Sequence, residues 1–472
     1  MQKRLVRYTR KFGLTVGLCA YIAMCVIFGG AGREGLFMHG ALQAIAALGL
    51  SALIVTWPNH VRIEGARTPI LLLVGLGAVG LLQSIPLPSG MWTALPGRSL
   101  IVDGYATLGQ NLPALPISLD VEETLSTIGY LLIPVFVLVL SLRIGMKRLR
   151  TVMPWFLVTL GVASVIYGLF QVFDGRDRML YLYEFTSNGL PVGFFSNVNH
   201  QASMLLMILP FAFFLLSELG QDWNGGDGNV ALAIVIVAMT FMLLVGLFGA
   251  GSVGGYAIIA PVLILAFLAS RAPNRKGMGR SMQLGLVGAF GFGVLLVASS
   301  PVLEGLGVTS FSDGEGSRYS IWQMTMQAIK DHWIFGTGLG TYESVIPLYE
   351  NPETVTATFV AKAHNDYLQL VMETGIFGLA FIGGCMFWFG QRFFNVWGKG
   401  RGGTTEALRK FAFISLLAVA LHSIVDYPAR TPAIAAILGL CLALISISDG
   451  RPKGQSSKRR SSGDGNTKRV VL

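Results

Sequence analysis

Apolar stretches of roughly 20 residues alternate with polar connectors along most of the chain, each long enough to cross a hydrocarbon core of about 30 Å. They cover 14–30, 36–57, 69–88, 121–141, 152–173, 200–218, 230–248, 252–270, 282–300, 365–390, 411–427 and 431–448. This pattern predicts an all-α polytopic membrane protein of about twelve transmembrane helices, with both termini on the same side. It divides the chain into a cytoplasmic N-terminus (1–13), spans one to nine (14–300), a long polar loop (301–364), spans ten to twelve (365–448) and a disordered basic tail (449–472). Within the loop, Ile321, Met324, Thr325 and Ala328 recur at helical spacing, so Ser317 to His332 reads as a short amphipathic helix. Ser89 to Asp120, punctuated by Pro96, Pro113 and Pro116, reads as loop.

Charge orients this arrangement. With the N-terminus inside, the cytoplasmic pieces hold 27 of the 35 Lys and Arg and 7 of the 25 Asp and Glu. The opposite face keeps 8 basic and 18 acidic residues, as the positive-inside rule requires. The net charge of +10 therefore follows from topology, and no nucleic-acid partner is expected. The tail is suited to contact anionic membrane lipids. The start, rich in Lys and Arg, reads as an uncleaved first span rather than a signal peptide. Composition agrees with a membrane class: 53% apolar, 13% charged, mean hydropathy +0.62 and 59 glycines. Cys19, Cys25, Cys385 and Cys441 all fall inside apolar segments, without the spacing of a disulfide framework or a zinc site.

The chemistry-bearing residues cluster on the acidic side. His364-Asn365-Asp366-Tyr367 stands where the long loop meets the tenth span. His364 is a candidate general base, since an imidazole titrates near neutrality; Asn365 or Asp366 also suits a helix cap. Asp366, Gln369 and Glu373 share one helix face, and ionisable groups at membrane depth usually face a polar cavity. Arg318 offers a forked, permanently charged donor for a diphosphate; Arg176, Arg178, Lys330, Lys362 and Arg430 compete for that role. Asn197, Asn199 and His200 lead into the sixth span, able to bind polar groups of a substrate or to cap the helix. His422 and Asp426 lie one turn apart. With His364 and His200 they suit a hydrogen-bonded network better than a metal site, because no ligand spacing enforces one. The glycine-rich run Gly336-Thr337-Gly338-Leu339-Gly340 lacks the Gly-Lys-Ser/Thr of a phosphate loop, so it reads as a tight turn. No cofactor or metal is expected.

At these residues the chain resembles the O-antigen ligase and polymerase superfamily of bacterial envelope glycosyltransferases. The resemblance spans roughly Gln83 to Pro432. Its most specific part runs from Arg318 through His332–Tyr342 to Ala363–Leu368, with support from Ser118-Leu119-Asp120, Asn197–His200 and His422–Tyr427. It implies a GT-C-like fold in the bacterial inner membrane, with the loop between the ninth and tenth spans covering a periplasmic site. It implies a glycan donor linked to undecaprenyl diphosphate, and as acceptor a sugar of lipid A-core or of a lipid-linked repeat unit. His364 then activates the acceptor and Arg318 binds the diphosphate. Asn199, His200, Asn365, Asp366, Tyr367, Arg176, Lys362 and Asp426 contribute to substrate binding. The chain departs from the family at Gly251-Ser252-Val253-Gly254-Gly255, with Val253 where an Arg is common. The competing readings are a twelve-helix transporter, which lacks support because no internal repeat is visible, and a non-catalytic component of an envelope-glycan assembly complex.

Overall fold

The computed structural model describes residues 2–32, 36–57, 63–174, 179–221, 226–270, 318–351, 353, 360–398 and 403–447. The ninth span, Arg176, Arg178, all of the long loop before Arg318 and the basic tail lie outside the described residues. The main helices are α1 (Gln2–Phe28), α2 (Leu36–Val55), α3 (Arg67–Gln83), α4 (Val121–Ile144), α5 (Met146–Asp174), α6 (Val198–Gln221), α7 (Asp227–Gly249) and α8 (Val253–Ser270). They continue as α9 (Arg318–Asp331), α10 (Asp366–Thr374), α11 (Ile376–Trp397), α12 (Thr404–His422) and α13 (Pro432–Ser446).

Among the described residues, nine helices are long and apolar enough to cross a membrane: α1 to α8, and α11. Helix α12 carries Glu406, Arg409 and Lys410 in its first two turns, and α13 has only 15 residues. The bundle is organised around α6. Its sequence is apolar on every side from Met204 to Leu216, and 94% of its spanning window is buried, as a helix enclosed by others requires. Helices α5, α7, α8 and α12 pack directly against it. The outer helices instead expose large apolar side chains, among them Leu48, Leu71, Ile234 and Phe387, which suits a hydrocarbon surround.

The two ends of the bundle differ in charge. At one end, cations hold backbone carbonyls that helix ends leave without a partner. Lys11 Nζ donates to Ile144 O at 3.1 Å, Arg143 Nη1 to Leu53 O at 3.3 Å and to Thr56 Oγ1 at 2.7 Å, and Arg409 to Ile447 O. Arg392 Nη2 reaches Gly65 O at 2.6 Å. The opposite end gathers the C-terminus of α1, the N-termini of α4 and α6, and the turns around α10 and between α12 and α13. Its carboxylates include Asp120, Asp366, Glu373 and Asp426.

Three local expectations change. The apolar run 365–390 is not one helix but α10 and α11, separated at Gly375 (φ +61°). The 334–336 turn presses on that point: a Cβ on Gly375 would sit 2.4 Å from Ile334 O. The Ser89–Asp120 segment is not wholly loop, since it contains short helices at Ser89–Trp92 and Ser99–Thr107. The basic connector Arg143–Arg150 is almost entirely helical, with Gly145 (φ +86°) alone separating α4 from α5. The amphipathic helix is present as α9, burying Ile321, Thr325 and Ala328.

Helices α13 and α4 meet most closely where Gly439 faces Pro134; a Cβ at position 439 would lie 2.5 Å from the Pro134 carbonyl oxygen. The obstacle is backbone and cannot rotate away. Gly439→Ala should therefore destabilise the bundle by about 1–3 kcal/mol, the usual cost of overpacking. Thermal unfolding of the purified protein in detergent checks this, and an unchanged Tm would refute the close approach.

Candidate active site

The segment Ala363-His364-Asn365 is fastened on both sides of the histidine. The Ala363 carbonyl accepts from Trp322 Nε1 of α9 at 2.9 Å, and its N–H donates to Gln369 Oε1 of α10 at 3.2 Å. Asn365 is the N-cap of α10: its Oδ1 accepts from the N–H groups of Tyr367 and Leu368, both at 3.0 Å, and its Nδ2 donates to Ile424 O at 2.8 Å. The Asp366 N–H donates to Ser423 O at 2.9 Å. Between these anchors His364 takes φ +49°, the only positive φ outside glycine among the described residues. A left-handed conformation costs an L-residue on the order of 1–2 kcal/mol, and such outliers concentrate at functional sites.

The strained backbone sets the imidazole against Asp426, in the turn after α12. His364 Nδ1 lies 3.3 Å from Asp426 Oδ1, which also accepts the Tyr427 N–H at 2.9 Å. Burial works to raise the Asp426 pKa, but the hydrogen bond from His364 and the imidazoles of His200, His364 and His422 outweigh it. They hold the carboxyl below the ordinary carboxylate range. An ionised carboxylate only accepts, so Nδ1 carries the proton of this contact. In the neutral ring Nε2 is then left with a free lone pair, the state a general base requires. The imidazole keeps 30% of its surface exposed, whereas the Asp426 side chain keeps 1%.

The Tyr427 ring stands edge-on to both His364 (centroids 5.1 Å apart) and His200 (4.8 Å). His200 is buried with neither ring nitrogen hydrogen-bonded, and Asp426 Oδ2 is likewise without a partner. His422 Nδ1 lies 2.7 Å from Ser203 Oγ. That hydroxyl donates to Asn199 O at 2.8 Å, so it accepts from the imidazole. Four residues expected from sequence, His364, His200, His422 and Asp426, thus share one locality. No group of three His, Cys, Asp or Glu placed to hold a metal ion occurs among the described residues.

A second cluster lies directly behind the first. Arg430 Nη1 and Nη2 bind Glu373 Oε1 and Oε2 at 3.0 and 3.1 Å, a forked pair, while Nε lies 3.3 Å from Asp366 Oδ1. Asp366 Oδ2 also accepts from Ser423 Oγ at 2.8 Å and from Ala429 N at 3.3 Å. Burial still pushes the Asp366 carboxyl up to about 6, against the pull of Arg430 and these two donors. Gln369 Nε2 completes the cluster by donating to Glu373 Oε1 at 2.9 Å. The polar face Asp366–Gln369–Glu373 therefore meets Arg430 and not an open cavity.

The glycine-rich run is a packing turn. Gly336, Gly338 and Gly340 all have positive φ, and a Cβ on each would strike Glu373 O, Ser118 Oγ or Thr127 Oγ1 within 2.5 Å. Gln83 ties it to α3 and α10: Nε2 donates to Phe335 O (2.7 Å) and Glu373 O (2.9 Å), and Oε1 accepts the Leu339 N–H (2.9 Å).

The remaining candidates divide. Arg318 is exposed at the start of α9, close enough to act electrostatically on His422. Lys362 lies 4.0 Å from Glu343 Oε2, and its pKa is lowered chiefly by burial and then by Arg430. Tyr367 OH is committed to Ala420 O at 2.7 Å, and Asn365 to its cap. Val253 is half exposed at the start of α8, and its neighbour Gly254 approaches the His422 ring, so the departure at Val253 falls beside the histidine cluster. Ser203 and Gln83 were not anticipated. Ser203 continues the polar run Asn199-His200-Gln201 at the start of α6, and Gln83 is the only polar residue in α3 after its first turn; these are the signals in the sequence that mark them.

No curated protein matches the chain. Residues 238–383, which run from α7 through Arg318, the glycine-rich turn and His364 into α11, match the family described as O-antigen ligase. The match covers less than half of the 472 residues, and it includes the Arg318, glycine-rich and His364 segments that carry the resemblance read from the sequence.

Proposed function

We propose that the protein transfers a glycan from a polyprenyl diphosphate, undecaprenyl diphosphate in a bacterial inner membrane, to a sugar hydroxyl at the periplasmic face. The family match supports a role in O-antigen or related glycan assembly. The observation that carries the finer reading is the His364–Asp426 pair, a partly exposed imidazole oriented by a buried carboxylate at the acidic end of the bundle. The charge distribution along the chain supports assigning that end to the non-cytoplasmic side.

In this mechanism His364 Nε2 takes the proton of the acceptor hydroxyl as its oxygen bonds to the anomeric carbon. The bond from that carbon to the diphosphate oxygen breaks and the electron pair leaves on the diphosphate, so the anomeric centre inverts. Asp426 fixes the tautomer and stabilises the imidazolium that forms, as the carboxylate of a Ser-His-Asp triad does. Arg318 neutralises the departing diphosphate. The donor is already activated, so the reaction needs no nucleotide. The acceptor is a sugar of lipid A-core or of a second lipid-linked repeat unit, and the dyad serves either.

His364→Gln should reduce transfer by about 10²–10⁴-fold, the usual contribution of a general base, while the protein still inserts and elutes as the parent does. Asp426→Asn should fall comparably, since an amide oxygen and nitrogen no longer define the imidazole tautomer. Purified protein in proteoliposomes with lipid-linked donor and sugar acceptor measures both; parental rates in either variant would remove the dyad from the mechanism. Arg318→Lys should lose about tenfold or more, because a point charge does not reproduce the forked contact. Unchanged rate and donor affinity would reject that role. Deletion in the native strain assigns the acceptor: single repeats on lipid A-core mark a polymerase, and long chains left on the polyprenyl carrier mark a ligase.

A further inference from the structure

The connector between α5 and α6 is irregular yet closely fastened. Residues 179–196 contain no helix or strand, but every backbone N–H from Ser187 to Ser196 has a partner. The Gly193 N–H donates to Gln171 Oε1 of α5 at 2.9 Å, the Phe194 N–H to Ser164 Oγ at 3.3 Å, and the Ser196 N–H to Gly30 O, just past α1, at 3.3 Å. Polar side chains turn inward for the same purpose. Gln171 Nε2 donates to Leu180 O at 3.0 Å and to Gly193 O at 2.9 Å, and Tyr167 OH to Leu180 O at 2.8 Å. Tyr181 OH accepts the Gly189 N–H at 2.9 Å and donates to Leu190 O at 3.2 Å, while Tyr183 OH accepts the Gly30 N–H at 2.8 Å.

The outward side of this loop is apolar. Met179 is 85% exposed, Phe185 76%, Leu182 45% and Leu190 42%. A loop that faces water shows the opposite arrangement, with polar side chains outward and backbone groups left to solvent. Irregular backbone beside lipid must instead be satisfied within the protein, and large apolar side chains gathered on one exposed segment mark a contact surface. The adjoining helix identifies the contact. The last turns of α5 expose Ile166, Phe170 and Phe173, and that helix is long and apolar enough to span a membrane. The apolar side of the loop therefore continues a surface that meets lipid. Glu184 and Asn188 are exposed on the same loop, which holds it at the headgroup level and out of the hydrocarbon centre. Tyr181 and Tyr183 suit that level, where amphipathic rings concentrate.

We propose that residues 179–196 form a lipid-contact surface, seated in the boundary between headgroups and acyl chains of the leaflet at the acidic end of the bundle. Its occupant is phospholipid. The loop leads directly into Asn197 and the first turn of α6, where His200 meets the Tyr427 ring, so the contact also fixes the depth of the histidine cluster at that boundary. This inference does not rest on the proposed transferase activity, and its test reads position in the bilayer alone.

Met179→Cys and Leu182→Cys, each carrying an environment-sensitive fluorophore on the new thiol, locate the loop in full-length protein in phosphatidylcholine nanodiscs. The parent, labelled in parallel, gives the background from the four native cysteines. Phosphatidylcholine with a nitroxide near the top of its acyl chain should quench both positions by about twofold or more, as expected of groups about 5–10 Å into the interface. Iodide in the buffer should leave them nearly unchanged. Leu190→Cys replaces either position if its variant does not elute as the parent does. Quenching by iodide and not by the nitroxide lipid would put the loop in water. Protection from both would mean that protein covers it, a second copy of the chain included. Either result overturns the proposal.

Discussion

One ion cluster holds the two halves of the candidate site in register. Arg430 follows α12 in the chain, and Glu373 and Asp366 belong to α10, yet the three side chains meet largely out of water, with Glu373 fully buried. Taking such charges out of water is unfavourable, and removing one partner of a buried pair costs about 3–5 kcal/mol because the others are left uncompensated. The cluster is therefore satisfied as a unit or not at all. Ser423 and the Ala429 N–H bind the same Asp366 carboxylate. Helix α10 is thus fastened to both ends of the 423–430 turn that carries Asp426, and the distance between His364 and Asp426 is fixed by contacts that involve neither residue.

The same fastening explains the backbone at His364. A left-handed residue costs on the order of 1–2 kcal/mol, whereas its flanks hold a capped helix, an indole donor and a buried glutamine. Relaxing the φ angle would break several of these bonds, so the conformation persists. What the fold obtains is direction: the ring meets Asp426 on one edge, rests against Tyr427 and keeps its remaining nitrogen available. A histidine in ordinary helical geometry at the start of α10 would follow the path of the cap, which is the alternative role its sequence position allows. The structure separates the two roles between neighbours, the cap to Asn365 and the exposed imidazole to His364.

Much of the bundle was legible because lipid-spanning helices leave a length signal, and because charge distinguishes the two ends. The boundary between α10 and α11 was not. Residues 365–390 read as continuous apolar helix, and the break at Gly375 arises from the 334–336 turn pressing on it, a contact no local pattern encodes. The site was legible in its parts but not in its pairing. The sequence groups His364, His200, His422 and Asp426 as one hydrogen-bonded network, but 62 positions separate His364 from Asp426, and which member faces which is set by the fold alone. The Asp366, Gln369 and Glu373 face was correctly polar, but its facing group is a cation of the chain itself. The glycine-rich run was readable as a turn because no phosphate-loop Gly-Lys-Ser/Thr follows it, and the structure adds the positive φ angles that require glycine there.

The scarcity of cations on the acidic face narrows the assignment further. Of the eight basic residues that the charge pattern assigns there, Arg33, Arg176 and Arg178 lie outside the described residues. Arg430 is consumed by two carboxylates, and Lys362 lies in the field of Glu343, Glu373 and Glu123. Lys330 stands in the last turn of α9, about 18 Å along the helix from Arg318. Arg98 faces its own recess behind the glycine-rich turn. Among the described cations this leaves Arg318 as the one that is exposed and within electrostatic reach of the histidine cluster. On the proposed mechanism a diphosphate leaving group needs such a charge, and a cation locked into the Glu373 and Asp366 cluster could not supply it without dismantling the contacts that position His364.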